Sequence, residues 1–278
     1  MKPANRYILM SVFYKKDQWH RLLALINKDI YGDPWFQSRL VFVLCFLNFH
    51  RGDNIQLLFK LSPLADIDTS EKIDAVIRNY LLENPSPGTE VKLPITSCFS
   101  DIPVNSIRYN IFDQNCLYAG RLQACQLVIS KIISVFFSNR SFDSCAMFTI
   151  VAKIQEAIVG GLTLESQERK ETCRRLIQLL QDDQTKDNFE QFADEVDDQD
   201  LNNQVDFFLG KSMADYLSDL ARLSRNLYEF SNYRLDCYEA IISVVKSHFP
   251  NVEASLYVDG LRSIMSENWT TKFAVGST

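Results

Sequence analysis

Histidine is scarce in this chain. His20, His50 and His248 are the only three, they lie far apart, and no HExxH-type pair exists to hold a metal on one helix face. The seven cysteines (45, 98, 116, 125, 145, 173 and 237) are odd in number and never closer than nine residues, so no CxxC pair exists either. That excludes a zinc ribbon or a thioredoxin-type dithiol and fits reduced thiols used as small core hydrophobes. Phosphate-cradling GxxxxGK[ST] and GxGxxG loops are absent, and so is the GxSxG nucleophile elbow. No metal and no cofactor is expected. Lysine and arginine (29) are outnumbered by aspartate and glutamate (35), for a net charge of −6, so no nucleic-acid partner is expected. No uninterrupted run of about 18 apolar residues occurs, so no membrane span is expected. The N-terminal apolar run stops at Lys15-Lys16-Asp17 without a small-residue cleavage site, the pattern of a cytoplasmic protein.

What is present divides in two. Residues 7–14 are β-branched and aromatic and end at that charged trio, which predicts a buried strand. Leu22, Leu23, Leu25 and Ile26 predict a short amphipathic helix over 17–29, and Tyr31-Gly-Asp-Pro34 a turn. Residues 40–49 are apolar on both faces, as a central strand would be. His50-Arg-Gly-Asp-Asn54 has tight-turn chemistry, with Asp and Asn tolerating positive φ beside a glycine, and residues 55–61 complete a hairpin. Arg51-Gly-Asp53 also spells an adhesion tripeptide, but turn formation explains it. Thr69 or Ser70 opens a helix carrying Ile73, Val76, Ile77, Tyr80 and Leu81, which ends at Asn84-Pro-Ser-Pro-Gly88. Residues 90–99 read as another extended segment.

From residue 119 the hydrophobic period becomes 3.6. Helices are predicted over 123–137, 145–159 and 164–180, with Gly160-Gly161 as the break and Thr163 as an N-cap. In residues 181–206 carboxylates far outnumber the single Lys186, and few apolar anchors are present. That is a solvated acidic segment, and it lacks the glycine and terminal glutamate of a calcium loop. Three more helices close the chain, about 208–229, 234–248 and 252–268. The fold class is therefore α+β: an N-terminal, mostly antiparallel sheet with covering helices, then a predominantly helical half. No linker stands out, so one domain over 1–278 is expected, sheet-rich to 118 and helical from 119.

The order of elements also carries a resemblance. The strand, turn and strand of 40–61, with Ile55-Gln-Leu-Leu-Phe59, resemble the strand, Asp-Pro-His turn and Leu-Arg-Leu-Arg-Phe strand of the thiopeptide-type bacteriocin biosynthesis family. That family includes the C-terminal glutamate-elimination domain of lanthipeptide dehydratases. Tyr109 followed by Leu117-Tyr118-Ala119-Gly120 resembles its Tyr, Glu, Arg-Tyr-Gly-Gly stretch. Phe142-Asp143-Ser144 is similar to its Phe, Asp-Ser helix start, and Ser263-Ile-Met265 with Asn268 to its C-terminal His-Met and Asn-Arg helix. The likeness runs from Tyr7 to about Trp269. It rests on order and spacing, since each motif alone is weak.

The resemblance implies modification of a ribosomally made precursor peptide, by elimination of glutamate from glutamylated Ser or Thr or by cyclisation to a pyridine. Elimination needs a base for the Cα proton and cations on the leaving carboxylate, for which arginine's bidentate fork is suited. This chain departs from the pattern: the family's two hairpin arginines align with Gln56 and Leu58, its arginine before Tyr-Gly-Gly with Leu117, and its C-terminal histidine with Ile264. Nearby groups that could take over peptide binding are His50, Arg51, Gln56, Lys60, Arg108, Tyr118 and Arg121. They are expected to converge on one cleft between the sheet and the helical half, less positive than the family's. The implied partners are the precursor peptide and a glutamylation or dehydratase subunit, and a homodimer is left open. A catalytically inactive relative that binds the peptide or that subunit is the alternative reading.

Overall fold

The computed structural model describes residues 6–49, 51–87, 102–110, 117–162, 166–181, 210–231, 233–249 and 252–266. Four antiparallel strands form the sheet: β1 (Tyr7–Phe13), β2 (Leu40–Asn48), β3 (Asn54–Leu61) and β4 (Ser106–Tyr109), in the order β2-β3-β1-β4. Pairing is in register across the row Arg108, Ser11, Gln56 and Phe46, whose side chains therefore share one face. The α+β expectation holds: the strands lie before residue 110 and the described residues beyond 119 are mostly helical. Strand β4 has no counterpart in the sequence reading. Four residues with a single apolar side chain, Ile107, are too short to show a period.

Between β1 and β2 the chain forms α1 (Trp19–Leu25), which continues as a π-helical turn over Ile26–Tyr31, and then α2 (Pro34–Gln37). Asp33 caps α2 by accepting from the Trp35 amide at 2.8 Å, with Pro34 at the first helical position. Helix α3 (Ile67–Glu83) buries Thr69, Ile73, Ile77 and Leu81. Its cap is Asp66, not Thr69 or Ser70. Asp66 accepts from the Thr69 amide at 3.1 Å while the Thr69 hydroxyl accepts from the Asp66 amide at 3.2 Å, a reciprocal capping box that places the cap three residues before Thr69.

The helical half comprises α4 (Gly120–Ser138), α5 (Ser144–Leu162), α6 (Ser166–Gln181), α7 (Met213–Ser231), α8 (Arg234–His248) and α9 (Ala254–Met265). Helix α5 ends at Leu162, so the break expected at Gly160-Gly161 falls in its last turn. A Cβ on Gly161 would collide with the Ala221 carbonyl of α7, so this glycine also allows close helix packing. Helices α4 and α5 are long and apolar enough to cross a membrane, yet most of each is buried within the protein. Buried side chains from the sheet and from the helices form one continuous apolar cluster. Trp19 joins them: its ring lies 5.3 Å from Phe49 beyond β2 and 4.8 Å from Phe142 before α5, and its Nε1 donates to the Tyr14 carbonyl. The acidic run 182–206, the extended segment 90–99, Thr163 and Asn268 lie outside the described residues.

Candidate functional site

The two faces of the sheet differ in what covers them. Tyr109 reaches α3, where its hydroxyl donates to Asp74 beside the fork that Arg78 makes on the same carboxylate at 2.8 and 2.9 Å. The Arg78 fork, more than any other contact, holds the Asp74 carboxyl below its ordinary range. Burial, then the Asp74 carboxylate, pushes the Tyr109 phenol up. On the opposite face lies the row Arg108, Ser11, Gln56 and Phe46. Arg108 is exposed at the β4 edge, Ser11 and Phe46 are buried, and Gln56 is half-buried between them. Leu58 and Lys60 follow on the same face, as an even spacing requires.

Phe46 ends the row against His248, the last residue of α8. The two rings stack at 4.6 Å with an interplanar angle of 12°. His248 Nδ1 lies 2.7 Å from the Cys45 carbonyl and can only donate to it, which fixes the tautomer and leaves Nε2 with a bare lone pair. Nε2 is buried and has no hydrogen-bond partner among the described residues. The nearby Gln126 carbonyl is itself an acceptor, so it bonds only a protonated ring. Burial outweighs both carbonyls and pushes the His248 pKa down to about 4, so the imidazole is neutral at pH 7. A neutral imidazole stacked on Phe46 adds no positive charge to this face. It cannot clamp a carboxylate.

Sequence reasoning singled out seven residues for this region. Gln56 and Arg108 share one face, with Ser11 of β1 between them. Lys60 shares that face, but it is buried, its ammonium 5.5 Å from the Phe42 ring, so it presents little charge to solvent. Tyr118, half-buried ahead of α4, donates its amide to the Gln126 side chain at 3.3 Å and so sits on the α4 side of His248. Arg121 turns to α7 instead, where its guanidinium lies 4.2 Å from the Phe230 ring. Arg51 is exposed at the hairpin tip with φ +59°, followed by Gly52 at +113°. The positive φ therefore falls on Arg51 and Gly52, not on Asp53 or Asn54. His50 lies outside the described residues.

His248 was missed. Its only sequence signal is a histidine at the end of a predicted helix, 203 positions from the carbonyl it bonds. Two cavities are described and none of the seven residues lines either one: one of about 290 Å³ between α3 and β4, and one of about 430 Å³ among α6, α7 and α8.

No protein-family model matches the chain, and no curated protein matches its sequence. Its fold is matched among solved structures. The pyridine synthase TbtD from thiomuracin biosynthesis superposes with a TM-score of 0.53 over 94% of this chain and 99% of its own, at 13% sequence identity. The chain is thus similar in fold to that synthase over nearly its whole length.

Proposed function

We propose that the chain is a single-domain protein of ribosomal peptide natural product biosynthesis that acts on a modified precursor peptide. The observation that carries this reading is the fold it shares with a pyridine synthase over nearly the full length of both chains. Of the two reactions implied by the resemblance, cyclisation fits the site better than glutamate elimination. Elimination needs cations around a leaving carboxylate, and this face offers one exposed guanidinium, Arg108, and the half-buried carboxamide of Gln56. Cycloaddition between two dehydroamino acids releases no charged group, so hydrogen bonding and shape suffice. In this reading exposed Arg108 and half-buried Gln56 hold the peptide backbone. A separate dehydratase subunit supplies the dehydroamino acids.

The test incubates the purified protein with two peptides. One carries glutamylated serine, and elimination removes glutamic acid from its mass. The other carries two dehydroalanines, and ring formation consumes the alkenes that otherwise add thiols. We expect the second peptide alone to react, with Gln56→Leu and Arg108→Ala each slowing it about tenfold or more. Reaction of the glutamylated peptide would overturn the preference for cyclisation. If neither peptide reacts but the precursor still binds, the alternative stands: a peptide-binding relative without catalysis.

A further inference from the structure

The larger described cavity, about 430 Å³, lies away from the sheet. Glu168, Glu171, Thr172 and Arg175 of α6 form one side, Tyr228 of α7 another, and Tyr233 through Asp236 at the start of α8 the third. Both of its arginines are already engaged. Arg234 pairs with Glu168, donates its Nε to the Leu162 carbonyl at 2.9 Å and lies 4.8 Å from the Tyr228 ring. Arg175 bonds Glu171 at 3.1 Å, and Arg174 bonds that same carboxylate at 3.3 Å.

Two groups are left over. Asp236 is half-buried and makes no hydrogen bond or ion pair among the described residues. The ring of Tyr233 is 67% exposed, the most exposed aromatic among the described residues. Both line this cavity, Tyr233 as the extended N-cap residue of α8 and Asp236 in its first turn. An unpaired carboxylate beside an open aromatic face recognises a cation. A volume of this size accepts one long side chain with its flanking backbone, not a folded partner.

We propose that this cleft is a second peptide-binding site, selective for a lysine or arginine side chain. The cationic head sits between Asp236 and the Tyr233 ring, and the aliphatic stem lies along Tyr228 and Leu235. The assignment goes beyond the peptide modification proposed above and does not depend on it.

Fluorescence anisotropy with two labelled hexapeptides tests it, Gly-Leu-Lys-Leu-Lys-Gly and the same sequence with Glu for Lys. We expect the lysine peptide to bind at least about tenfold tighter, and to weaken as salt rises. Asp236→Asn and Tyr233→Leu should each weaken it about fivefold, the second keeping apolar area while removing the π face. Circular dichroism confirms folding, and Tyr233→Leu preserves the test if Asp236→Asn destabilises α8. Equal affinity for the two peptides, no binding, or unchanged affinity in a folded variant overturns the proposal. These probes are not the precursor, so their failure leaves precursor modification unaffected, and an inert enzyme leaves this result standing.

Discussion

The two edges of the sheet are finished in opposite ways. At β2 the outward backbone groups are taken up by side chains from three helical segments. Cys45 N–H donates to Ser130 Oγ of α4 at 2.7 Å, the Cys45 carbonyl accepts from His248 of α8, and the Val43 carbonyl accepts from Tyr31 at 3.3 Å. All of these residues are buried. At β4 the strand is four residues long and ends in exposed Arg108 and Tyr109. Burial forces every polar group at β2 to find a partner, whereas a short charged strand can leave its edge to water. Stability should therefore be concentrated at one edge, and peptide chemistry can be placed at the other.

That contrast can be broken by mutation. The largest effect is expected for His248→Ala, which removes the stacked ring and leaves the Cys45 carbonyl unpaired in the core. A loss of roughly 3–4 kcal/mol in denaturant unfolding is expected. The same histidine should give the fold an acid limit. Its folded pKa, about 4, lies below the ordinary 6.5, so the folded state binds fewer protons than the unfolded one. Stability is then full above pH 6.5 and declines as pH falls toward 4, by on the order of 3 kcal/mol. Urea titrations across that range should show a flatter slope for His248→Gln.

Replacing Lys131 of α4 should stabilise instead, although its pH dependence has the same sign. It is buried with its ammonium over the Tyr31 ring, 3.2 Å from the ring centre, and burial lowers its pKa to about 7. Because the folded pKa lies below the unfolded one, the destabilisation grows as pH falls from 10.5 to 7 and is complete below 7. Lys131→Met should stabilise by roughly 1–4 kcal/mol at pH 6, less as pH approaches 10. An equal gain at both pH values would rule out burial of the charge as its cause.

Ser130→Ala leaves the Cys45 amide without an acceptor, and we expect a loss of about 1–2 kcal/mol, seen as a lower denaturant midpoint. The smallest effect belongs to β4. Arg108→Ala and Tyr109→Phe should each shift stability by less than about 0.5 kcal/mol. Arg108→Ala should nevertheless slow peptide conversion, and a large stability loss there would erase the distinction between the edges.

Much of the first hundred residues can be read locally. The apolar run of β2 and the hairpin to β3 follow from side chains within a few positions of one another, and the even spacing of Gln56, Leu58 and Lys60 already places them on one face. The period of α4, α5 and α8 is equally plain. Where the reading erred, a distant group intervened. Gly161 gives no local sign that α7 packs against it, and Lys60 resembles a surface cation until Phe42 lies beside it.

The sequence by itself determined the class of the fold, its division at about residue 119, and the pairing that carries Gln56. Periodicity, turn chemistry and alternation are short-range properties. Only the tertiary structure decided that the row of Gln56 ends on His248, that Arg121 lies on Phe230, and that Asp236 and Tyr233 line one cavity. Each of these depends on which helix face meets which strand. That is set by the sum of many apolar contacts across the core, and no single stretch of sequence records it.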